Sequence, residues 1–202
     1  MNTLRLYQRE PDILTLGPGR RYCLWVQGCE RCCPGCISVY SRDKQGGYNI
    51  SIRALALEIK MSAPEGVTIS GGEPFLQAEE LAELMRLLKN GMNCDPGLIV
   101  YTGYTLEELR EMPSAQALLS HTDLLIDGPY VQELDDGLSL RGSSNQRVIP
   151  LTQRYNKPEI LSLYGQETRS VQVVRHGFGV CRIGVANEND TNYEVIDHEP
   201  HH

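Results

Sequence analysis

Gln27-Gly28-Cys29-Glu30-Arg31-Cys32-Cys33-Pro34-Gly35-Cys36 places four of the chain's seven cysteines within eight residues. Read as Cys29, three residues, Cys33, two residues, Cys36, the stretch offers three thiolates on one tight loop. Iron–sulfur cubanes otherwise take a cysteine at every iron, so three thiolates leave one iron open to a cofactor or substrate. A structural zinc knuckle is the alternative, with Cys29-x-x-Cys32 and Cys33-x-x-Cys36 closing a four-ligand set. Adjacent Cys32 and Cys33 diverge along the backbone, however, and the second, distant cysteine pair of a zinc ribbon is missing. Cys32, Cys94 and Cys181 are expected to be non-ligands, and Cys23 a packed core thiol.

Working outward, the loop hangs from the apolar run Tyr22 to Gln27, which reads as a strand delivering ligands from its C-terminal end. Before it, residues 2 to 15 read as a short strand leading to the turn Gly17-Pro18-Gly19-Arg20. After it, a polar loop with Gly46-Gly47 is expected, then a crossover helix from Ser51 carrying Ile52, Leu55, Ala56 and Ile59. Val67 to Ser70 is a β-branched strand running into Gly71-Gly72-Glu73-Pro74. Leu81, Leu84, Met85 and Leu88 mark the next helix, and Leu98 to Tyr101 the next strand. Thr105 and Glu108 form a capping box ahead of Leu106 and Leu109, and Leu124 to Ile126 is a buried-type strand ending at Asp127-Gly128-Pro129-Tyr130. This alternation predicts an α/β fold of parallel βαβ units with right-handed crossovers. Further on, Arg147 to Ile149 reads as a strand, and Val171 to Val174 with Val180 to Val185 as a β-hairpin. The tail from Ala186 is acidic and polar, and His198, His201 and His202 within it invite a second metal only weakly.

Composition narrows the partners. With 41% hydrophobic and 22% charged residues the chain reads as globular, and a domain of 202 residues buries roughly 70% of the unfolded surface. The net charge of −7 argues against nucleic acid, whose backbone selects clustered Lys and Arg. No stretch approaches the length of a membrane span and no leader pattern opens the chain, so a cytoplasmic protein is expected. Crowded cysteines in a ligand pattern also fit a reducing compartment.

Gly71-Gly72-Glu73-Pro74 sits where a molecule beside the cysteine loop could be reached. Glycines let the backbone approach a bound molecule, and the carboxylate can accept from an ammonium group; a simple strand-to-helix turn is the plainer reading. Together the two motifs resemble the radical S-adenosylmethionine (SAM) superfamily. That resemblance implies a [4Fe–4S] cluster on Cys29, Cys33 and Cys36, with SAM chelating the open iron through its amino and carboxylate groups. It further implies that Gly71, Gly72, Glu73 and Pro74 hold the methionyl ammonium, and that Thr102 and Asp127 contact the cofactor. Thr102 and Asp127 could equally cap a helix or stabilise a turn.

Gly17-Pro18-Gly19-Arg20, Ser70-Gly71-Gly72-Glu73-Pro74, Tyr101-Thr102-Gly103-Tyr104 with Leu106-Glu107-Glu108-Leu109, Asp127 to Val131 and Arg141 to Gln146 narrow the likeness. Over roughly residues 15 to 150 the chain resembles activating enzymes of anaerobic ribonucleotide reductase. The implied fold is an incomplete (partial) parallel β/α barrel with a C-terminal β-hairpin extension. Residues 1–150 would be the radical SAM core and residues 151–202 an extension of the same domain. The implied activity is reductive cleavage of SAM to a 5′-deoxyadenosyl radical that abstracts hydrogen from a glycine of a partner enzyme. A low-potential flavodoxin or ferredoxin-type protein would supply the electron, and no side-chain base is needed. Another peptide or small-molecule substrate, and a non-catalytic Fe–S or zinc module, stay open as alternatives. The chain departs from the family at Ile37-Ser38, where relatives usually carry an aromatic residue and asparagine, and in the residues after 150.

Overall fold

The computed structural model describes residues 2–90, 95–138, 140–158, 169–176 and 179–185. Their elements run β1 (Thr3–Ile13), β2 (Arg21–Val26), β3 (Tyr48–Ser51), α1 (Ile52–Ser62), β4 (Gly66–Gly71), α2 (Ala78–Lys89) and β5 (Gly97–Tyr101). There follow α3 (Leu106–Glu111), α4 (Gln116–Leu119), β6 (Leu124–Asp127), β7 (Arg147–Pro150), β8 (Val171–His176) and β9 (Gly179–Gly184). Seven strands form one open sheet in the order β3-β1-β2-β4-β5-β6-β7, and β8 pairs with β9 as a separate hairpin. The fold is mixed α/β.

Within the sheet β2, β4, β5 and β6 are parallel neighbours, as the alternation of strand and helix requires. The flanks depart from the all-parallel expectation: β1 is antiparallel to β2 and to β3, and β7 is antiparallel to β6. Strand β3 replaces part of the expected polar loop. Its four residues carry no apolar run, and it forms because β1 offers a free edge, pairing Leu4 with Ile50 and Arg5 with Asn49.

Side chains alternate across the sheet with the strand period of two. Tyr22, Leu24 and Val26 of β2, Val67 and Ile69 of β4, Leu98 and Val100 of β5 and Leu125 of β6 face one core. Against them α1 presses Ile52, Leu55, Ala56 and Ile59, and α2 presses Leu81, Leu84, Met85 and Leu88. Each fully buried aliphatic side chain stabilises the fold by about 1.5–3 kcal/mol, so this layer fixes the helical face. Ser51 stands at the N-cap of α1 without a side-chain cap bond, whereas the Thr105–Glu108 capping box is complete.

Residues of opposite parity face the other side. Cys23 packs with Ile13, Leu16 and Ile183, while Ile99, Leu124 and Ile126 pack with Leu140 and Tyr155. The hairpin is bonded to the chain's start: Thr15 Oγ1 donates to the Ile183 carbonyl (2.9 Å) and the Gln172 side chain bridges Leu14 N and the Asp12 carbonyl (2.9 Å each). At the N-terminal ends of the parallel strands lies Arg21, fully buried. Its five N–H groups reach five neutral acceptors: Thr68 Oγ1, the Pro18 carbonyl, Tyr155 Oη and the Val67 and Gly97 carbonyls. Cys94, the Gly177-Phe178 turn, the tail from Ala186 and its histidines lie outside the described residues.

Candidate functional site

Beyond β2 the chain leaves the sheet and returns, and its neck is closed by hydrogen bonds. Gly28 N donates to the Ser41 carbonyl (2.8 Å), Cys29 N to the Arg42 carbonyl (3.1 Å), and the buried Gln27 amide to the Tyr40 and Asp43 carbonyls. Gly28 at φ +100° and Gly35 at φ +68° let the backbone turn where other residues would be strained. Cys29, Cys33 and Cys36 are half-buried free thiols on a single cavity of about 160 Å³, and exposed Cys32 is not on its wall. Among the described residues no three His, Cys, Asp or Glu groups converge on one metal-ion position. A cubane does not ask for that, because each thiolate takes a different iron.

Burial pushes the Cys29 thiol up; the Arg31 amide opposes, and the negative charge of Glu73, Cys36 and Cys33 adds to the rise. Burial likewise raises Cys36, against the Ser38 amide. Iron binding must therefore displace protons from these thiols.

The second wall is the turn after β4. Gly72 N donates to the Val26 carbonyl and Glu73 N to the Gly28 carbonyl, both at 2.8 Å, which fastens this turn to the cysteine loop's neck. Gly71, at φ +97°, packs so closely that a Cβ would come within 2.7 Å of Trp25 Cα. Gly71, Gly72 and Glu73 line the cavity, and Pro74 lies just outside the lining at the start of a short 3-10 turn. The Glu73 carboxylate, 1% exposed, accepts from Phe75 N (3.0 Å), Thr102 Oγ1 (2.8 Å) and Gly103 N (2.9 Å). Burial raises its pKa, while these donors and Arg31 pull the other way.

Thr102 also lines the cavity and links β5 to this cluster: its hydroxyl donates to Glu73 and accepts from Tyr104 N at 3.1 Å. Asp127 is placed differently. It lies off the cavity lining, 1% exposed, with Leu106 N at 2.7 Å and Arg147 Nε at 2.9 Å on its oxygens. It anchors the start of α3 and pairs with Arg147.

Tyr101, Tyr130, Gly142 and Gln146 fall in motifs that the sequence already marks, whereas Arg31, Trp25, Arg42 and Asp135 carried no sequence signal as wall residues. Arg31 lies over the Tyr104 ring at 3.9 Å and pairs with Glu108 at 3.0 Å, tying the cysteine loop to the capping box of α3. Its role follows from contacts far apart in sequence. Trp25, Tyr101 and Arg42 face the cavity, as do Tyr130, Asp135, Gly142 and Gln146 around the Arg141 to Gln146 loop. Gly184 and Val185, at the hairpin's end, complete the wall.

Residues 15–149 match the family described as 4Fe-4S single cluster domain. An anaerobic ribonucleoside-triphosphate reductase-activating protein of Vibrio cholerae is 35% identical over 153 residues, 71% of this chain and 96% of that one. The chain belongs to the anaerobic ribonucleoside-triphosphate reductase-activating protein family. Another member, from Pasteurella multocida, is 34% identical over 76% of this chain and 99% of its own. The member from Enterobacteria phage T4 is 30% identical over 73% of this chain and 93% of its own. Among solved structures, QueE from Escherichia coli overlaps 51% of this chain and 54% of its own at TM-score 0.40 and 20% identity. The description of the family matched over residues 15–149 makes one 4Fe-4S cluster the expected metal group, and the three half-buried thiols on one cavity have the number and chemistry to hold it. Among the described residues no helix is long and apolar enough to cross a membrane.

Proposed function

We propose that this chain is a SAM-dependent activating enzyme that generates a glycyl radical on an anaerobic ribonucleotide reductase. The observation that carries the reading is the meeting of Cys29, Cys33 and Cys36 with Gly71, Gly72 and Glu73 on one cavity, at the C-terminal ends of β2 and β4. When bound, cluster and SAM together supply one-electron cleavage of a sulfonium C–S bond and the hydrogen-atom abstraction that follows.

The chain's own part is binding, orientation and exclusion of water. Cys29, Cys33 and Cys36 would each take one iron, held in place by the closed neck at Gly28 and Cys29. Gly71 and Gly72 bring bare backbone to the cavity, and buried Glu73 sets a negative charge beside it for the methionyl ammonium. Thr102 and Gly103 fix that carboxylate's direction through their donors. Trp25 and Tyr101 supply flat apolar walls that keep water from the reacting atoms. Asp127 enters as the anchor of α3 and Arg147.

The finer architectural reading is an incomplete β/α barrel, in which β2, β4, β5 and β6 are the parallel staves and the site lies at their C-terminal ends. Residues 1–150 would be its core, with the later segment packed on as part of the same domain. A low-potential flavodoxin or ferredoxin-type donor would deliver the electron in the cytoplasm.

The test is anaerobic reconstitution with iron and sulfide, reduction with dithionite, and addition of SAM with the cognate reductase. Formation of 5′-deoxyadenosine together with a glycyl-radical doublet in electron paramagnetic resonance is expected, both abolished by Cys33→Ala. A well-formed cluster that yields neither product refutes the reading.

A further inference from the structure

The family match stops at residue 149, yet the chain beyond it reaches the cavity twice. Gly184 and Val185 stand directly on the wall. The other approach is indirect and rests on Arg169, whose side chain is only 2% exposed.

Arg169 gathers two described stretches of the wall, residues 135–138 and 140–142. Its guanidinium forms an ion pair with Asp135 (2.8 Å to Oδ1), donates to Asp135 Oδ2 (3.0 Å), to the Leu138 carbonyl (3.1 Å), and to the Arg141 and Gly142 carbonyls (2.8 and 2.7 Å), while its amide donates to the Gly137 carbonyl (3.2 Å). Within the second stretch Leu140 is buried at φ +65°, a left-handed conformation that is costly for a residue with a Cβ and persists only where surrounding contacts impose it. The two residues that Arg169 grips most directly, Asp135 and Gly142, are the ones that line the cavity. Gly142 is also packed against Tyr130, whose ring carbon Cδ2 a Cβ would approach to 2.8 Å. Gly142 N is held by Gln146 Oε1 at 2.7 Å, so the wall from Tyr130 to Gln146 shares one support.

We propose that Arg169 is a positioning residue of this site: it holds residues 135–138 and 140–142, with Leu140 in its strained conformation, and thereby sets the affinity of the cavity for a nucleoside-bearing sulfonium ligand. The proposal rests on the function proposed above. Lysine cannot replace it fully, because one ammonium on a flexible stem can pair with Asp135 but cannot span carbonyls in both stretches. The segment outside the family match would then be a working wall of the site.

The test uses reconstituted full-length protein, with S-adenosylhomocysteine as the probe in anaerobic titration calorimetry. Arg169→Gln is expected to weaken binding about tenfold, to raise KM for SAM more than it lowers kcat, and to speed tryptic cleavage after Arg141, with iron per chain retained. Arg169→Lys is expected to fall between the two in affinity. Wild-type affinity in Arg169→Gln overturns the proposal, whether or not tryptic cleavage is faster. If Arg169→Gln does not take up iron, Arg169→Lys decides: intermediate affinity supports the proposal and unchanged affinity overturns it. Failure of the wild type to bind the probe overturns the reading of the site itself, and the proposal falls with it.

Discussion

Replacing Gly72 by alanine tests whether the two motifs are one mechanical unit. A Cβ there would lie 2.8 Å from the Gly28 carbonyl carbon and 2.9 Å from the Ser41 carbonyl oxygen, and closer still to the Gly28 oxygen. All are backbone atoms, so no side chain can swing aside. The Gly28 carbonyl accepts from Glu73 N and the Ser41 carbonyl from Gly28 N, each at 2.8 Å. Separating the strands of the neck enough to admit a methyl therefore gives up two hydrogen bonds, about 1 kcal/mol each, and adds overpacking strain of about 1–3 kcal/mol. The expected loss is about 3–5 kcal/mol, a large part of the roughly 5–15 kcal/mol that holds a domain together. Gly28→Ala is the internal control. It has the unfavourable φ of +100° but nothing nearer than 3.8 Å, so only backbone strain of about 1–2 kcal/mol is expected. Urea unfolding of the cluster-free protein, followed by fluorescence of the single tryptophan, Trp25, measures both. Iron per chain after reconstitution should fall in Gly72→Ala more than in Gly28→Ala. A Gly72→Ala variant of wild-type stability, or a costlier Gly28→Ala, would refute the clash argument.

The remaining expectations concern charge and burial. Burial pushes the Cys23 thiol up to about 12 from an ordinary value of 9.0, against the opposing effects of Arg21 and Thr68. An unfolded thiol ionises first, so Cys23 contributes stability below pH 9 that is lost as pH rises from about 9 toward 12; Cys23→Ala should flatten that alkaline loss. Iodoacetamide at pH 8 should label exposed Cys32 and half-buried Cys29, Cys33 and Cys36 in cluster-free protein and spare buried Cys23, as peptide mapping will read. Asp127→Asn should cost about 1–3 kcal/mol through weakened bonds to Leu106 N and Arg147; a loss of S-adenosylhomocysteine affinity beyond that in equally destabilised variants would make Asp127 a ligand contact. Arg21→Leu should cost about 3–5 kcal/mol in urea unfolding, because the carbonyls of Val67 and Gly97 at the starts of β4 and β5, and that of Pro18, lose a donor. Iron uptake by the folded fraction should survive that change.

The central fold was legible because its signals were local. Apolar runs of four to six residues gave β2, β4, β5 and β6, and the period of α1 and α2 marked their inner faces. Strand β3 was not legible, since Tyr48 and Asn49 face solvent and only the free edge of β1 makes them a strand. Strand β7 was legible at Arg147 to Ile149, but its antiparallel pairing was not, because the direction is set by the edge that β6 offers. In the site, cysteines and glycines announce themselves by type and spacing. Arg31 and Arg169 do not, because each acts on groups brought close by folding, Glu108 at a separation of 77 residues and Asp135 at 34.

Glu73 joins these strands of argument. A carboxylate nearly without exposure costs several kcal/mol to desolvate, and three donors, each contributing about 1.5–3 kcal/mol to a charged acceptor, offset part of that cost without a direct ion pair. Its nearest opposing charge, Arg31, is itself committed to Glu108 and Tyr104. If the position served only to bind the turn to β5, a neutral hydrogen-bonding side chain would do so at lower desolvation cost. A carboxylate makes sense where its charge has work on the open side, and the side it borders is the cavity shared with the three thiols. The same charge raises Cys29, so it also works against cluster assembly. That expense is hard to understand in a protein whose thiols merely hold a structural metal, and it is expected where a cationic ligand must lie beside them.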